Sequence, residues 1–418
     1  MKRNYFLVVL IMVIFFVISF LTNIIGPLIP EIIDDFNLSL TMVALLPFAF
    51  FIAYGVMSIP SGLLIERFSD KKVIVAAFLV SFIGALVFAI FPNYLVAIIS
   101  LFLIGTGMAM LQVAINPLLR EAGGEEHFAF NSVLGQLFFG TASFLSPLVY
   151  SYLVLNLGQG DTGKFLLSTL ETVIPAELPW VSLYWIFAVV SLLMVLIIAA
   201  SPFPEVERLE DEKVGALDSH LALMKKPMVW LFFLGIFAYV GSEQGVANWM
   251  SEFLSTYHGF DPQTTGASTV SWFWGMMVAG TVLGLLLLKI IDSRRVLILF
   301  SLGAIISLSI ALFGSGQAAL IAFPAVGFFA AVMWSVIISL ALNSVTEDHG
   351  TFSGILVSGI VGGAVVPLIV GSLGDAFGLR AGMLFLYITF GYILSIGFWA
   401  KPLVSNKTIE FGKDSVGS

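Results

Sequence analysis

The residues with chemistry to offer are carboxylates, amides and indoles set inside long apolar runs. Glu243 lies about fifteen residues into the run that begins near residue 228, with Gly241 and Gly245 on either side. An ionisable group at that depth is expensive in hydrocarbon, so it has either a task or a partner. A lone carboxylate there has two ways to offset its charge. It can bind a proton, or it can stay ionised and help hold a sodium ion beside carbonyls freed near Gly241 and Gly245 and the amide oxygen of Gln244. The structural alternative is a neutral glutamate bonded to a neighbouring helix. Gln112 and Asn116 are four residues apart and share a helix face, and Gln244 with Asn248 repeats the spacing. Amides both donate and accept, which suits the hydroxyls of a sugar; buried amides also bridge helices. Asn23, Gln136 and Asn343 are further amide candidates. Trp334 sits deep in its run, where an indole face can stack on a pyranose ring, while tryptophans near run ends, as at Trp249, Trp272 and Trp274, more often anchor at the membrane interface.

Other chemistry is excluded. The chain has no cysteine and 4 scattered histidines, so thiol catalysis, disulfides and a conventional metal centre are out, leaving only the sodium option at Glu243. No phosphate-binding loop, nucleophile–base pair or cofactor fingerprint is present. No enzymatic activity, no cofactor and no nucleic-acid partner are expected.

The elements that position these groups follow from composition. Of 418 residues, 59% are hydrophobic and 11% charged, and the mean hydropathy is +1.05. A soluble domain of that size needs more charge, whereas a bilayer solvates an apolar exterior. A span needs roughly 20 apolar residues. Runs of that kind are expected at 5–33, 40–66, 73–91, 94–120, 127–155, 181–201, 228–255, 264–291, 294–313, 317–345, 352–376 and 380–401. The first follows Lys2 and Arg3 as a secretory signal would, but it is too long for one and reads as an uncleaved span. With both termini cytoplasmic, all of the 18 Lys and Arg residues except Lys164 and Arg380 fall on the inner side, as the positive-inside rule requires. The expectation is an all-α membrane protein, multi-pass in the inner or plasma membrane and monomeric. Its twelve transmembrane helices form two pseudo-symmetric six-helix halves, 1–201 and 228–418. The charged stretch 202–227, with Glu205, Glu207, Arg208, Glu210, Asp211, Glu212 and Lys213, joins them; 156–180 is an outer loop with room for one short helix.

The halves echo one another. The run Gly62-Leu63-Leu64-Ile65-Glu66-Arg67-Phe68-Ser69-Asp70-Lys71-Lys72 after the second span has a partial copy from Gly284 to Arg295 after the eighth, and Pro147-Leu148-Val149 matches Pro367-Leu368-Ile369 at nearly the same offset. Duplicated halves around a mid-membrane site are a transporter architecture.

The Gly62 to Lys72 run resembles the loop signature of the major facilitator superfamily, with Ser69 where a glycine is usual. The resemblance implies that Gly62 permits close helix packing and that Glu66, Arg67 and Asp70 would form a conformational latch whose ion pairs break as the halves rock. Within the superfamily the chain resembles the fucose–proton symporter family, which includes L-fucose permeases and glucose/galactose porters. The likeness rests on Gln112 to Pro117, Tyr239 to Glu243, Trp274-Gly275, Met333-Trp334, Ser339 to Leu342, and the stretches Gly362 to Pro367 and Gly371 to Asp375. It implies a monosaccharide-like substrate, a coupling cation and alternating access. The pattern departs where an acid would stand near Gly26 and where Gln112 replaces a glutamate, so the coupling carboxylate would be Glu243. A proton-coupled drug or metabolite exporter is the alternative. It is disfavoured because Ser146-Pro147-Leu148-Val149-Tyr150 lacks the paired glycines such exporters carry after a Gly-Pro. A non-transporting sugar sensor is less expected still.

Overall fold

The computed structural model describes residues 4–124, 128–157, 165–203, 223–345 and 349–403, together with the side chains of most of them. Of the expected groups, the side chains of Glu66 and Asn116 and the linker residues 204–222 lie outside the described residues. The described residues are almost wholly helical, and among them 12 helical segments are long and apolar enough to cross a membrane. These are Tyr5–Phe36, Leu40–Ser58 (in a helix running on to Phe68), Asp70–Ile90, Tyr94–Ile115, Leu134–Asn156, Pro179–Ala200, Pro227–His258, Pro262–Leu288, Ser293–Phe313, Gly316–Leu342, Phe352–Phe377 and Leu379–Trp399. Lipid-facing positions such as Leu95, Ile306, Ile321, Ile388 and Phe398 are exposed and apolar, while Trp180, Trp249, Phe253 and Phe323 fill the interior. A helix satisfies its own backbone polar groups, which makes it a suitable spanning element in lipid.

The twelve spans form two six-helix halves. In the first, the second and third spans pack on the fourth, the third on the sixth, and the first on the fifth; in the second, the eighth and ninth pack on the tenth, the ninth on the twelfth and the seventh on the eleventh. The halves meet where the second span lies along the eleventh, the fifth along the eighth and the first against the seventh. Asn4 donates its N–H to the Ala122 carbonyl, and Leu403 donates to that of Asn343. Both ends of the described chain therefore lie at one end of the bundle, called here the near end. The far end carries Asn37, Phe91, Gly259, Gly314 and Gly378. The short helix Phe165–Glu171 falls in the expected outer loop.

Four spans are interrupted in ways the apolar pattern does not announce. The first divides into Tyr5–Thr22 and Ile25–Phe36. Pro27 has no N–H, so the Asn23 carbonyl loses its partner four residues on and the helix breaks there. Its second piece carries Glu31 inside the span, half-buried, and ends on a left-handed Asn37. The eleventh span is His349–Ser358, a 3-10 turn at Gly359–Val361, then Gly362–Phe377, with Pro367 depriving the Gly363 carbonyl in the same way. The tenth breaks between Ala330 and Met333 with no proline downstream to cause it. Ala331 and Val332 there pack against Gly280 and Gly284 of the eighth span. The twelfth is Leu379–Met383 and Phe385–Trp399, divided at Leu384.

Candidate functional site

The seventh span supplies the densest polar ladder at mid-depth. From Ala238 to Met250 every residue is buried except Glu243, which is partly accessible. It stands about 24 Å along its helix at about 1.5 Å per residue. Tyr239, one turn earlier on the same face, has its hydroxyl beside the carboxylate, and Gln244 Nε2 donates to Glu243 Oε1 at 3.2 Å. The Tyr239 ring lies 6.1 Å from that of Trp334, centroid to centroid. Acid, phenol and indole are thus brought together from the seventh and tenth spans.

Gln244 and Asn248 continue the ladder, both buried. Gln244 Cγ lies against Gly363 of the eleventh span, and Phe51 of the second span packs on the same glycine from the other half. Phe51 belongs to an aromatic group with Phe50 and Tyr54. Asn248 is 3% exposed, and its Nδ2 has no hydrogen-bond partner. A buried donor left unpaired is costly, so this amide is a group a ligand can satisfy. Beside it the first span comes closest to the seventh: a Cβ on Gly26 would lie 2.3 Å from the Ala247 carbonyl oxygen and 3.3 Å from the Asn248 Cα. Only a glycine fits that crossing.

The remaining expected residues are distributed differently. Asn23 lies at the break in the first span, and its Nδ2 donates to Ser143 Oγ at 2.9 Å and to Ser19 Oγ at 3.4 Å. Ser19 Oγ also donates to the Phe139 carbonyl at 2.6 Å. Its donors are spent tying the first span to the fifth. Gln112 is half-buried in the near-end part of the fourth span. Gln136 is exposed, on the fifth-span face that one turn later carries Gly140, which meets Val278 of the eighth. Asn343 caps the near end of the tenth span, bonding Ser339 Oγ at 3.4 Å, well away from Glu243. Trp249 is fully buried and donates Nε1 to the Pro367 carbonyl at 3.1 Å; it is a core residue.

At the near-end loop, Gly62 is buried, Arg67 is exposed with its guanidinium 5.2 Å from the Phe68 ring, and Asp70 is buried at the first turn of the third span. Lys71 donates to the carbonyls of Ala199 at 2.9 Å and Ser201 at 2.7 Å, closing the end of the sixth span. Among the described residues no cluster of three or more His, Cys, Asp or Glu is arranged to hold a metal ion.

Two participants escape the sequence reading as site residues, Tyr239 and Phe51. The signal for Tyr239 was available in its four-residue spacing from Glu243. Phe51 had none, since its role depends on how the two halves meet.

Residues 11–359 match the family described as Major Facilitator Superfamily. The glucose/galactose transporter of Brucella abortus biovar 1 (strain 9-941) is 32% identical over 402 residues, covering 95% of this chain and 94% of the relative. The L-fucose-proton symporter of Escherichia coli K12 is 26% identical, covering 87% and 86%. Among solved structures, the E. coli fucose:proton symporter superposes with a TM-score of 0.67 at 22% identity, covering 96% of this chain and 100% of that one. A bacterial homologue of the human lysosomal transporter Spinster, inward-facing and unoccupied, superposes at 0.78 and 17% identity, covering 96% and 97%.

Proposed function

We propose that this chain, which belongs to the Major Facilitator Superfamily, is a secondary active transporter importing a monosaccharide-like sugar by cation symport. The observation that carries the reading is the ladder on the seventh span. A partly accessible carboxylate stands midway along the seventh span beside a phenol and near an indole, with one buried amide next to it and a second, holding an unpaired donor, just over a turn on. Amides supply hydrogen bonds to hydroxyls, the aromatic faces supply stacking surface, and the carboxylate supplies the one charge whose neutralisation a cation can provide. The relatives named as glucose/galactose and L-fucose transporters support the same substrate class. Gln244, Asn248, Trp334 and Gln112 are the proposed sugar contacts, and Glu243 the cation-binding group, for either a proton or a sodium ion.

The halves are assigned as 1–201 and 228–418 with 202–227 between them. The near end is assigned to the cytoplasm, on the distribution of Lys and Arg. Gly62, Glu66, Arg67 and Asp70 are assigned as the near-end latch.

The test is uptake of a labelled sugar panel into proteoliposomes, with proton and sodium gradients imposed separately. Glu243→Gln should abolish accumulation while keeping exchange between equal sugar pools, because exchange needs no net cation movement. If Glu243→Gln still accumulates sugar under either gradient, the coupling role is wrong. If no sugar in the panel exchanges, the substrate class is wrong.

A further inference from the structure

At the far end of the bundle two sets of polar contacts cross between the halves, and each joins a carboxylate to the start of a helix. The second span begins at Leu40. Its first three N–H groups have no partner inside the helix, as at any helix start. Ser39 Oγ accepts from Met42 at 3.2 Å, an ordinary cap. The Leu40 and Thr41 N–H groups instead donate to the two oxygens of Asp375, each at 2.8 Å. Asp375 stands near the far end of the eleventh span, in the other half. The approach that permits this is made by glycines one turn apart: a Cβ on Gly371 would lie 2.7 Å from the Leu40 carbonyl oxygen, and one on Gly374 2.8 Å from Leu40 Cδ1.

Across the bundle, the eighth span begins with a π-turn at Pro262–Gly266. Asp261 fixes it, accepting from the Gln263 N–H at 3.2 Å and bonding Thr264 Oγ1. Gln263 Nε2 then donates at 2.9 Å to Glu31 Oε1 on the first span, again across the halves. Tyr150 of the fifth span, fully buried, lies beside the same carboxylate. Asp34 and Asp35 lie close enough to act on the charge of Glu31, and Asp35 accepts a hydrogen bond from Trp180 Nε1 at 2.6 Å.

We propose that Asp375 and Glu31 are two clasps that hold the far end shut. Each is a contact the molecule makes in this state and must break to open. Opening separates the halves, so it returns the Leu40 and Thr41 donors and the Glu31 oxygen to water. The clasps therefore set the balance between far-end-closed and far-end-open molecules, and they act on opposite sides of the central axis. They contain neither Glu243 nor any proposed sugar contact. The inference rests on the alternating-access reading but not on the identity of the solute.

The chain has no cysteine, so spin labels can be introduced at Glu177→Cys and Gln317→Cys, exposed far-end positions in opposite halves. Pulsed electron-electron distance measurements in nanodiscs without any solute then report the far-end opening. Asp375→Asn removes one of two acceptors at nearly constant shape, and Gln263→Ala removes the donor to Glu31. Each should raise the open population relative to closed by about two- to thirty-fold, the range a helix-cap contribution implies, and the double variant should multiply the two. Ser372→Ala, exposed beside Asp375 and bonded only to its own helix at Leu368, serves as the control and should leave the distribution as it is. Unchanged distances in the double variant overturn the proposal, as does an equal shift in the Ser372→Ala control. Because no sugar is present, a wrong substrate assignment leaves this result untouched.

Discussion

Two asparagines of the same type carry different burdens. The Asn23 amide is engaged by Ser143 and Ser19, whereas the Asn248 Nδ2 is buried with nothing to bond. Losing a satisfied bond costs about 0.5–1.5 kcal/mol, and leaving a buried donor unpaired costs about 1–3 kcal/mol. Asn23→Ala should therefore lower the thermal midpoint by an amount equivalent to about 1 kcal/mol and leave sugar affinity as it was. Asn248→Ala should leave the midpoint unchanged or raised while weakening sugar binding about three- to tenfold, the equivalent of one hydrogen bond. Thermal shift and equilibrium binding on both variants check this. The reverse pattern would make Asn248 the packing group and Asn23 the ligand contact.

Among elements, the crossing of the first and seventh spans is a tight place beside the site. The Gly26 Cα faces the Ala247 carbonyl with room for hydrogen only. Gly26→Ala should destabilise the protein by about 1–3 kcal/mol through overpacking. Gly391→Ala, where a Cβ meets nothing within 4 Å, should be neutral or stabilising by up to about 1 kcal/mol. Denaturation of both variants decides it, and equal stability would mean that the crossing relaxes without cost. The same scale explains Lys71. It counts in the sequence as one more inner-side charge, yet it closes the C-terminal carbonyls of the sixth span, where a cation also meets the negative end of the helix dipole.

For the whole molecule, the far-end clasps and the proposed near-end latch belong to opposite ends and so to opposite phases of a rocking cycle. Asp70 is buried at the first turn of the third span, a position that favours its negative charge. Asp70→Asn should reduce sugar uptake several-fold while insertion and sugar binding persist, since the group lies far from the ladder on the seventh span. Uptake and binding measured on the same preparation separate the two effects, and normal uptake would reduce the loop to a topological signal.

Apolar run length and charge placement determined the class, the number of spans and their order, because hydrocarbon demands continuous self-bonded helices and the need is local to each segment. Glu243 was legible for a related reason: a carboxylate inside such a run is costly wherever the run ends up packing. What the runs could not carry was the pairing of distant residues. Asn23 and Asn248 look alike in sequence, but Asn23 donates to Ser19 on its own helix and to Ser143, 120 residues away, while the Asn248 Nδ2 is left without a partner. The break in the tenth span, with no proline beyond it to mark it, lies where Ala331 and Val332 sit against glycines of the eighth. Asp375 sits in a stretch that sequence reads as a family likeness. Its bond to Leu40, 335 residues away, exists only because the two halves close on one another, and that closure is a property of their packing and of no single segment.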